Sequence, residues 1–383
     1  MTSTTRAPSR TLHRAARLED LFHARLEQKV IDRGWRPQVT AYTGYGAPGW
    51  VRVLARVLRT RPSPSSTPDE MRRGWHQFVT VPAVGVQVRV RAGDAEAVVT
   101  TDRGGYVDLR VECDLPLGWQ EVGLEVLGPD QGGHVEAVQP ADGDDPSDPA
   151  DADRHDDGDG RDTPAAYEPQ GEITAPVLVI DPDAELGVVS DIDDTVMVTS
   201  LPRAVLAAWN TFVLNEHARR PVPGMAVLYE RLVNAHPGAP VIYLSTGAWN
   251  VAPTLTRFLS RHLYPRGPLL LTDWGPTKEG WFRSGQNHKR QTLRRLAEDF
   301  PRVRWLLIGD DGQHDPDLYS EFARTHPDNV AAVAIRHLLP AEQVLASGLP
   351  VPMDQAKSVP GTPWVQGTDG AALSARLSSL GLL

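Results

Sequence analysis

The chain has 383 residues, of which 40% are hydrophobic and 23% are charged, as in folded globular proteins. The single cysteine, Cys113, excludes an internal disulfide framework and a multi-cysteine zinc site. The net charge is −10, but ten aspartates and only two arginines lie between Asp142 and Asp162. The rest of the chain is therefore close to neutral. This charge distribution excludes the broad basic face of a nucleic-acid-binding protein, so we expect no nucleic-acid partner.

The N-terminal residues contain arginines but no apolar run of the kind found in a secretory signal. No apolar run in the chain approaches the ~18 residues of a membrane span. We therefore expect no transmembrane segment and a cytoplasmic protein, with peripheral attachment to a membrane left open. Within the N-terminal segment 1–37, apolar residues from Leu18 to Val30 recur at helical spacing. That helix could bind a membrane surface or pack on the domain that follows, and packing is favoured.

Residues 38–183 have the pattern of a small β-sandwich domain. Val84, Val86, Val88 and Val90 alternate with polar residues, which indicates a strand with one buried face. Further strands are predicted around residues 106–111, 122–126 and 173–180. A stretch at about 140–170 consists mainly of Asp, Gly, Pro and Ala, so it is predicted to be a disordered loop within this domain.

Residues 184–337 alternate short apolar strands with helical segments, which predicts an α/β domain with a parallel sheet covered on both faces. A C-terminal tail, 338–383, follows; it has many turn residues and one helical stretch, Ala371–Leu380, and it is expected to wrap the surface. In parallel sheets of this kind the active site lies beyond the C-terminal ends of the strands. The predicted strands are Leu186–Ser190, Val241–Ser245, Leu269–Thr272, Trp305–Gly309 and Val330–Ile335.

Three carboxylates follow the first of these strands within four residues: Asp191, Asp193 and Asp194. Carboxylates that crowd a tight turn repel one another, and a cation relieves the repulsion. An all-oxygen set of ligands favours magnesium. Taken alone, the cluster could also be a solvated acidic turn that caps a helix.

Chemically useful residues follow the other strands as well. Ser245, Thr246 and Gly247 offer small hydroxyls and backbone N–H groups that suit a phosphoryl oxygen. Lys289 is predicted to open a helix and to supply a point positive charge. Asp310 and Asp311 begin a second acidic cluster, which ends at Asp315. An acid, a hydroxyl, a lysine and a second acid, each near a different strand end, argue for a catalytic site.

This set resembles the four motifs of the haloacid dehalogenase superfamily. In particular, it resembles the catalytic domain of the actin-patch-associated phosphatidate phosphatases, whose bacterial relatives carry a β-domain ahead of the catalytic part. The resemblance is specific over about residues 185–337. It is carried by Ser190–Val196, Asp273-Trp274-Gly275, His288-Lys289 and the run Ile308–Tyr319.

The resemblance implies a fold and a chemistry. The fold is a haloacid-dehalogenase-like Rossmannoid sheet with a small cap, and the chemistry is Mg²⁺-dependent hydrolysis of phosphate monoesters. Asp191 would be the nucleophile that forms an aspartyl-phosphate, and Asp193 the general acid and base. Thr195 would orient the turn, while Ser245 and Lys289 would bind the phosphoryl group. The implied ligands of Mg²⁺ are Asp191, the backbone carbonyl of Asp193, and Asp310; Asp315 would support the metal or Lys289.

Two features leave alternatives open. Asp311 stands where the family pattern leads us to expect a small residue, so either Asp310 or Asp311 could bind the metal, and Asp310 is favoured. Residues 201–240 leave room for only a modest cap. Arg219 and Arg220 there could hold a lipid phosphate or end a packed helix, and Trp249 could line a ligand site or anchor the core.

Three functions remain in competition at the level of sequence. The favoured one is a lipid phosphate phosphatase with phosphatidate, at a membrane surface, as the implied substrate. A second is a phosphatase of a soluble phosphate ester or a nucleic-acid end. A third, disfavoured by the intact set of motif residues, is a non-catalytic binding module.

Overall fold

The computed structural model describes residues 27, 29–61, 81–128, 171–198, 220–272, 281–312, 314–338 and 358–383. The chain divides into two compact units. One comprises Met1–Tyr42, Gly49–Leu115 and Glu121–Val177, and the other comprises Thr43–Pro48, Pro116–Gln120 and Leu178–Leu383. The predicted acidic loop, Arg219 and most of the predicted N-terminal helix lie outside the described residues, as does Asp273-Trp274-Gly275.

The N-terminal strands are joined by hydrogen bonds into one nine-stranded sheet, with the order β1-β3-β2-β9-β8-β5-β6 and with β4 and β7 both paired to β3. β8 and β9, which flank the acidic stretch in sequence, are neighbours in this sheet. The β-sandwich stays a prediction. The strands are β1 (Arg36–Ala41), β2 (Gly44–Ala47), β3 (Gly49–Thr60), β4 (Val81–Pro82), β5 (Gln87–Ala92), β6 (Ala95–Thr100), β7 (Tyr106–Cys113), β8 (Gly118–Val126) and β9 (Ile173–Val179).

The second unit contains a six-stranded sheet with the order β14-β13-β10-β15-β16-β17. Every neighbouring pair in it is parallel, which confirms the predicted α/β class with a parallel sheet. β10 is buried along its whole length, as a strand covered on both faces must be. The strands are β10 (Leu186–Ser190), β13 (Val241–Ala248), β14 (Leu269–Thr272), β15 (Arg304–Asp310), β16 (Val330–Arg336) and β17 (Trp364–Gly367).

Helices and one small two-stranded antiparallel sheet accompany this sheet. The small sheet pairs β11 (Met197–Val198) with β12 (Arg220–Pro221), and β11 directly follows the first acidic turn. In the part of the chain that the structure describes, no helix is both long and apolar enough to cross a membrane. The helices are α1 (Met225–Ala235), α2 (Ala252–Arg261), α3 (Trp281–Asp299), α4 (Asp315–Thr325) and α5 (Gly370–Ser379).

The structure corrects the expected position of Lys289. Lys289 does not open a helix, because α3 begins at Trp281 and places this lysine more than two turns inside it. The residues just before it, among them Gly285, are weak helix formers and therefore resemble a loop in the sequence. Packing explains the helix there: a Cβ on Gly285 would lie 3.0 Å from Cγ2 of Thr246, so the glycine lets α3 approach β13 closely.

The C-terminal segment also differs from the expectation that it wraps the surface. Residues 364–367 form β17, the sixth strand of the parallel sheet, which pairs with β16. No strand is predicted there from the sequence, because four residues between turn residues and a helix carry too little periodicity to be recognised. The helix that follows was predicted at Ala371–Leu380 and is observed as α5.

Candidate active site

The predicted site residues come together at the C-terminal ends of the parallel strands. Asp191 directly follows β10, Asp310 is the last residue of β15, and Ser245 lies in the C-terminal half of β13. Helices supply the remaining two charges: Lys289 from within α3 and Asp315 from the first position of α4. All five side chains are buried.

Lys289 pairs with two carboxylates at once. Its Nζ lies 2.7 Å from Oδ1 of Asp191 and 2.6 Å from Oδ1 of Asp315. All three side chains are at most 3% exposed. Three aspartates, Asp191, Asp310 and Asp315, each offer an oxygen within 4.8 Å of the others. When all three carboxyl groups are ionised, Lys289 balances one of their three negative charges and leaves a net charge of −2 within this set of four described residues.

The unpaired oxygens of this cluster are suited to a divalent cation. Oδ2 of Asp191, Oδ2 of Asp310 and Oδ2 of Asp315 are buried and accept no hydrogen bond from the described residues. Buried polar atoms are normally satisfied, and a metal ion satisfies carboxylate oxygens. The all-carboxylate set is the kind of donor that Mg²⁺ prefers, so these residues fit the metal that the motif pattern implies.

Burial and mutual repulsion shift the pKa values of the cluster. Burial raises the pKa of Asp191 well above its ordinary value, against the lowering effect of Lys289, and Asp315 and Asp193 add to the rise. Burial also raises the pKa of Asp310, with Asp315 and Asp191 as further causes. For Lys289, burial lowers the pKa, but the two carboxylates outweigh it and the net shift is upward. Lys289 is therefore a permanent cation, and the carboxyl cluster favours binding either protons or a metal.

The two neighbouring aspartates of the second acidic cluster have different surroundings. Oδ1 of Asp310 accepts the backbone N–H of Gly312 at 2.7 Å, and its Oδ2 faces the other carboxylates without a donor. Asp311 has both oxygens engaged: Oδ2 lies 2.6 Å from Nδ1 of His337, and Oδ1 accepts the N–H of Leu338 at 2.9 Å. The geometry favours Asp310 as the metal ligand and gives Asp311 a structural contact.

Asp193 is linked to the second motif. The hydroxyl of Ser245 donates to Oδ2 of Asp193 at 3.0 Å and accepts the backbone N–H of Gly247 at 2.9 Å. The Gly247 N–H is therefore engaged by a side chain of its own strand, β13, and not directed toward open space. The site thus joins the nucleophile candidate and the acid–base candidate to the residues expected to hold phosphate.

The first acidic turn is fixed by backbone and side-chain bonds. Asp194 has a left-handed φ of 57°, and its N–H donates to the carbonyl of Met197 at 2.8 Å. Thr195 is fully buried, and among the described residues its hydroxyl has no hydrogen-bond partner, so its orienting role stays a prediction. Ser190 donates to the carbonyl of Asp191 at 2.6 Å and contacts the hydroxyl of Tyr229.

The four candidate substrate residues that the structure describes differ in exposure. Thr246 is exposed, whereas Gly247 is buried and the indole of Trp249 is only 8% exposed, as a core anchor would be. Arg220 is exposed in β12, which pairs with β11, the strand that follows the first acidic turn. Arg219, the fifth candidate, lies outside the described residues.

Two buried residues that contact the first acidic turn or the strand before it were not identified from the sequence. Arg336 ends β16, and its Nη1 donates to the carbonyl of Asp194 at 2.6 Å. It directly follows the predicted strand Val330–Ile335, so the rule that points to strand ends also points to this residue. Tyr229 lies in the middle of α1, where an aromatic residue at helical spacing is indistinguishable from an ordinary core residue.

Comparison with known proteins agrees with the motif pattern. Residues 186–337 match the family model described as phosphatidate phosphatase APP1, catalytic domain. Over 154 residues the chain is 27% identical to phosphatidate phosphatase APP1 of Saccharomyces cerevisiae, which covers 39% of this chain and 26% of that protein. Over 155 residues it is 24% identical to an uncharacterized protein of Schizosaccharomyces pombe, covering 40% and 25% of the two chains. The resemblance inferred from the motifs is thus confirmed for this part of the chain.

The chain spans about a quarter of the length of the curated relatives that it matches. Among solved structures, a haloacid dehalogenase family hydrolase from Deinococcus radiodurans R1, with bound phosphate and sodium, is 16% identical. That comparison covers 52% of this chain and 99% of the hydrolase, with a TM-score of 0.30. This structural likeness is too distant to bear on function.

Proposed function

We propose that the chain is a Mg²⁺-dependent phosphatase with a haloacid-dehalogenase-like catalytic domain, and that it hydrolyses a lipid phosphate of the phosphatidate type. One observation carries the proposal: Asp191, Asp193, Ser245, Lys289 and Asp310 lie together, buried, at one end of a parallel sheet. The family match over residues 186–337 supports the lipid substrate. Substrate class, metal and catalytic steps all belong to the proposal.

In the first step a carboxylate oxygen of Asp191 attacks the phosphorus atom, and the bond from phosphorus to the ester oxygen breaks. Asp193 donates its proton to the departing oxygen, which leaves as an alcohol. Asp191 then carries the phosphoryl group as an acyl phosphate. Lys289, held between Asp191 and Asp315, keeps its positive charge beside the phosphoryl oxygens.

In the second step Asp193, now a carboxylate, takes a proton from water while the water oxygen attacks phosphorus. The bond between phosphorus and Asp191 breaks, which releases inorganic phosphate and restores the free carboxylate. The hydroxyl of Ser245, which donates to Asp193 in the structure, would turn to donate to a phosphoryl oxygen when substrate binds. Mg²⁺ held by Asp191, Asp310 and the backbone carbonyl of Asp193 would supply positive charge between the nucleophile and the phosphate.

The test is a phosphate-release screen of the purified chain with and without Mg²⁺. It contains phosphatidate and lysophosphatidate in mixed micelles, sugar phosphates, nucleotides and a phosphorylated DNA end. Release from the two lipids that depends on Mg²⁺ is expected. Release from a sugar phosphate or nucleotide alone would replace the lipid by a soluble substrate, and no release from any compound would contradict the phosphatase assignment.

A further inference from the structure

Two consecutive residues at the end of β16 connect both acidic turns of the site to the C-terminal segment. We propose that Arg336 and His337 are positioning residues of the active site, and that residues 358–383 belong to the catalytic machinery. This inference rests on the proposed phosphatase function. It extends that function to a segment that lies outside the family match at 186–337.

Arg336 links the first acidic turn to the end of β17. It is 2% exposed, and its Nη1 donates to the carbonyl of Asp194 at 2.6 Å while its Nε donates to the carbonyl of Thr368 at 3.3 Å. Asp194 is one of only two non-glycine residues with a positive φ in the described parts of the chain. Because a left-handed aspartate has to be held by its surroundings, the guanidinium helps to fix the turn that carries Asp191 and Asp193.

His337 makes the corresponding link to the second acidic turn. Its Nδ1 lies 2.6 Å from Oδ2 of Asp311, and its Nε2 lies 3.0 Å from the side-chain amide oxygen of Gln366 in β17. A carboxylate only accepts hydrogen bonds, so Nδ1 carries the proton of the first contact. The backbone repeats the link: the N–H of His337 donates to Gly367 at 2.8 Å, and the N–H of Asp311 donates to Arg336 at 3.0 Å.

The C-terminal segment is anchored firmly enough to serve as a support. The N–H of Gly370, at the start of α5, donates to the carbonyl of Pro223 at 3.0 Å. A Cβ on Gly370 would collide with the backbone of Gly224, so the backbones of these two segments are in contact at the two glycines. Ser374 of α5 also receives a hydrogen bond from Arg231 of α1. The C-terminal segment therefore contacts α1, the helix that follows β12, as well as β16, the strand that carries Arg336.

These contacts fix the relative positions of the catalytic residues. The nucleophile and the acid–base residue share the first acidic turn, and the metal ligand Asp310 begins the second. Arg336 and His337 hold both turns against β17. Residues behind metal ligands and catalytic groups typically change affinity or rate by about 10–100-fold when they are replaced. Arg336 is expected to act in this range and His337 below it, although neither touches substrate.

Arg336→Lys, Arg336→Met, His337→Ala and Gln366→Leu test the inference in the full chain. The measurements are kcat and KM for p-nitrophenyl phosphate and the Kd and stoichiometry of Mg²⁺ binding by calorimetry. We expect roughly a 10–100-fold loss in kcat or in Mg²⁺ affinity for the Arg336 variants, with the stoichiometry unchanged. A smaller loss is expected for His337→Ala and Gln366→Leu. A merely structural role would lower the fraction of binding-competent protein and hence the stoichiometry, but not the Kd.

Arg304→Met is the matched control. Arg304 lies at the start of β15, at the end of the sheet opposite the site, and it donates to the carbonyl of Val330 in β16 at 3.4 Å. It should leave kcat and Kd within about twofold of the parent. If Arg336→Lys and Gln366→Leu, both milder than the truncations, fold and match the control in kcat and Kd, the inference is wrong. If the parent protein binds Mg²⁺ but releases no phosphate, the proposed function fails, and the Kd comparison still decides the positioning role.

Discussion

The ammonium group of Lys289 lies 2.7 Å from Oδ1 of Asp191, and both side chains are almost fully buried. A buried ion pair of this kind is costly to assemble and more costly to break, because removal of one partner leaves the other without compensation. The pair therefore belongs to the chemistry of the site more than to its stability. Lys289 also pairs with Asp315. The effect of substituting Asp191 can therefore be measured separately from the effect of substituting Asp315.

The first prediction concerns the nucleophile. Asp191→Asn should abolish phosphate release, because an amide is nearly isosteric with the carboxylate but is a poor nucleophile. The variant should be as stable as the parent or more stable without metal. Burial, Asp315 and Asp193 disfavour the Asp191 charge more than Lys289 favours it, so the pKa is raised, and Lys289 keeps Asp315 as a partner. Turnover is measured as phosphate release from p-nitrophenyl phosphate with excess Mg²⁺. Stability is measured as the thermal unfolding temperature in the presence of a chelator. Parental turnover in this variant would disprove the covalent mechanism.

The second prediction concerns the acid–base residue. Asp193→Asn should lower kcat by roughly 10²–10⁴-fold on an alkyl phosphate, because proton transfer to the leaving oxygen is lost. The first chemical step should suffer less with p-nitrophenyl phosphate, whose leaving group needs no proton. Rapid-quench measurement of the first turnover on both substrates separates the two steps. Equal losses of first-turnover rate on the two substrates would argue against a role for Asp193 as the general acid.

The third prediction concerns Lys289. Lys289→Met should destroy activity and lower the free energy of unfolding by about 3–5 kcal/mol, because Asp191 and Asp315 lose their cation. Adding Asp315→Asn to this variant should restore part of the stability, since one of the uncompensated carboxylates is removed, but no activity. Urea unfolding with and without Mg²⁺ gives the stabilities. An unchanged stability in the single variant would mean that the pair is not buried in solution.

The fourth prediction distinguishes Asp310 from Asp311. Asp310→Asn should remove the rise in melting temperature that Mg²⁺ causes in the parent, because it neutralises a carboxylate with an oxygen facing the cluster. Asp311→Asn should retain that rise, and the Kd for Mg²⁺ should increase by no more than roughly tenfold. Asp311 contacts His337 and Leu338 and would act on the metal only through the turn. Melting curves over a Mg²⁺ titration provide the measurement. The reverse order of effects would assign the metal to Asp311.

The fifth prediction concerns Tyr229. The Ser190 hydroxyl donates to the carbonyl of Asp191, so the Tyr229 hydroxyl is left to donate to Ser190. Tyr229→Phe should lower kcat by roughly tenfold, since small displacements of a catalytic group cost up to about 100-fold. Tyr243→Phe is the control: Tyr243 stacks on Tyr229, but its hydroxyl donates to Pro265 at 2.8 Å. Both should lose about 0.5–1.5 kcal/mol of stability. Equal activity in the two variants would contradict a role for the hydroxyl of Tyr229.

The sequence by itself determined the elements that carry a strong periodic or compositional signal. The five apolar strands from Leu186 to Ile335 were recognisable because each is buried on both faces and bounded by turn residues. The residues that follow them were recognisable because the C-terminal ends of parallel strands share one edge. Asp191, Asp193 and Asp310 were therefore expected to converge with Lys289 and Ser245 at one end of the sheet.

Only the tertiary structure decided features that depend on contacts between distant segments. β17 forms because its backbone pairs with β16, and its own four residues carry too little periodicity to predict a strand. The start of α3 depends on the approach of Gly285 to Thr246, which outweighs the weak helix propensity around it. The different surroundings of Asp310 and Asp311 follow from where each side chain finds a hydrogen-bond donor. Adjacent identical residues have the same local sequence signal, so only the surrounding fold can separate them.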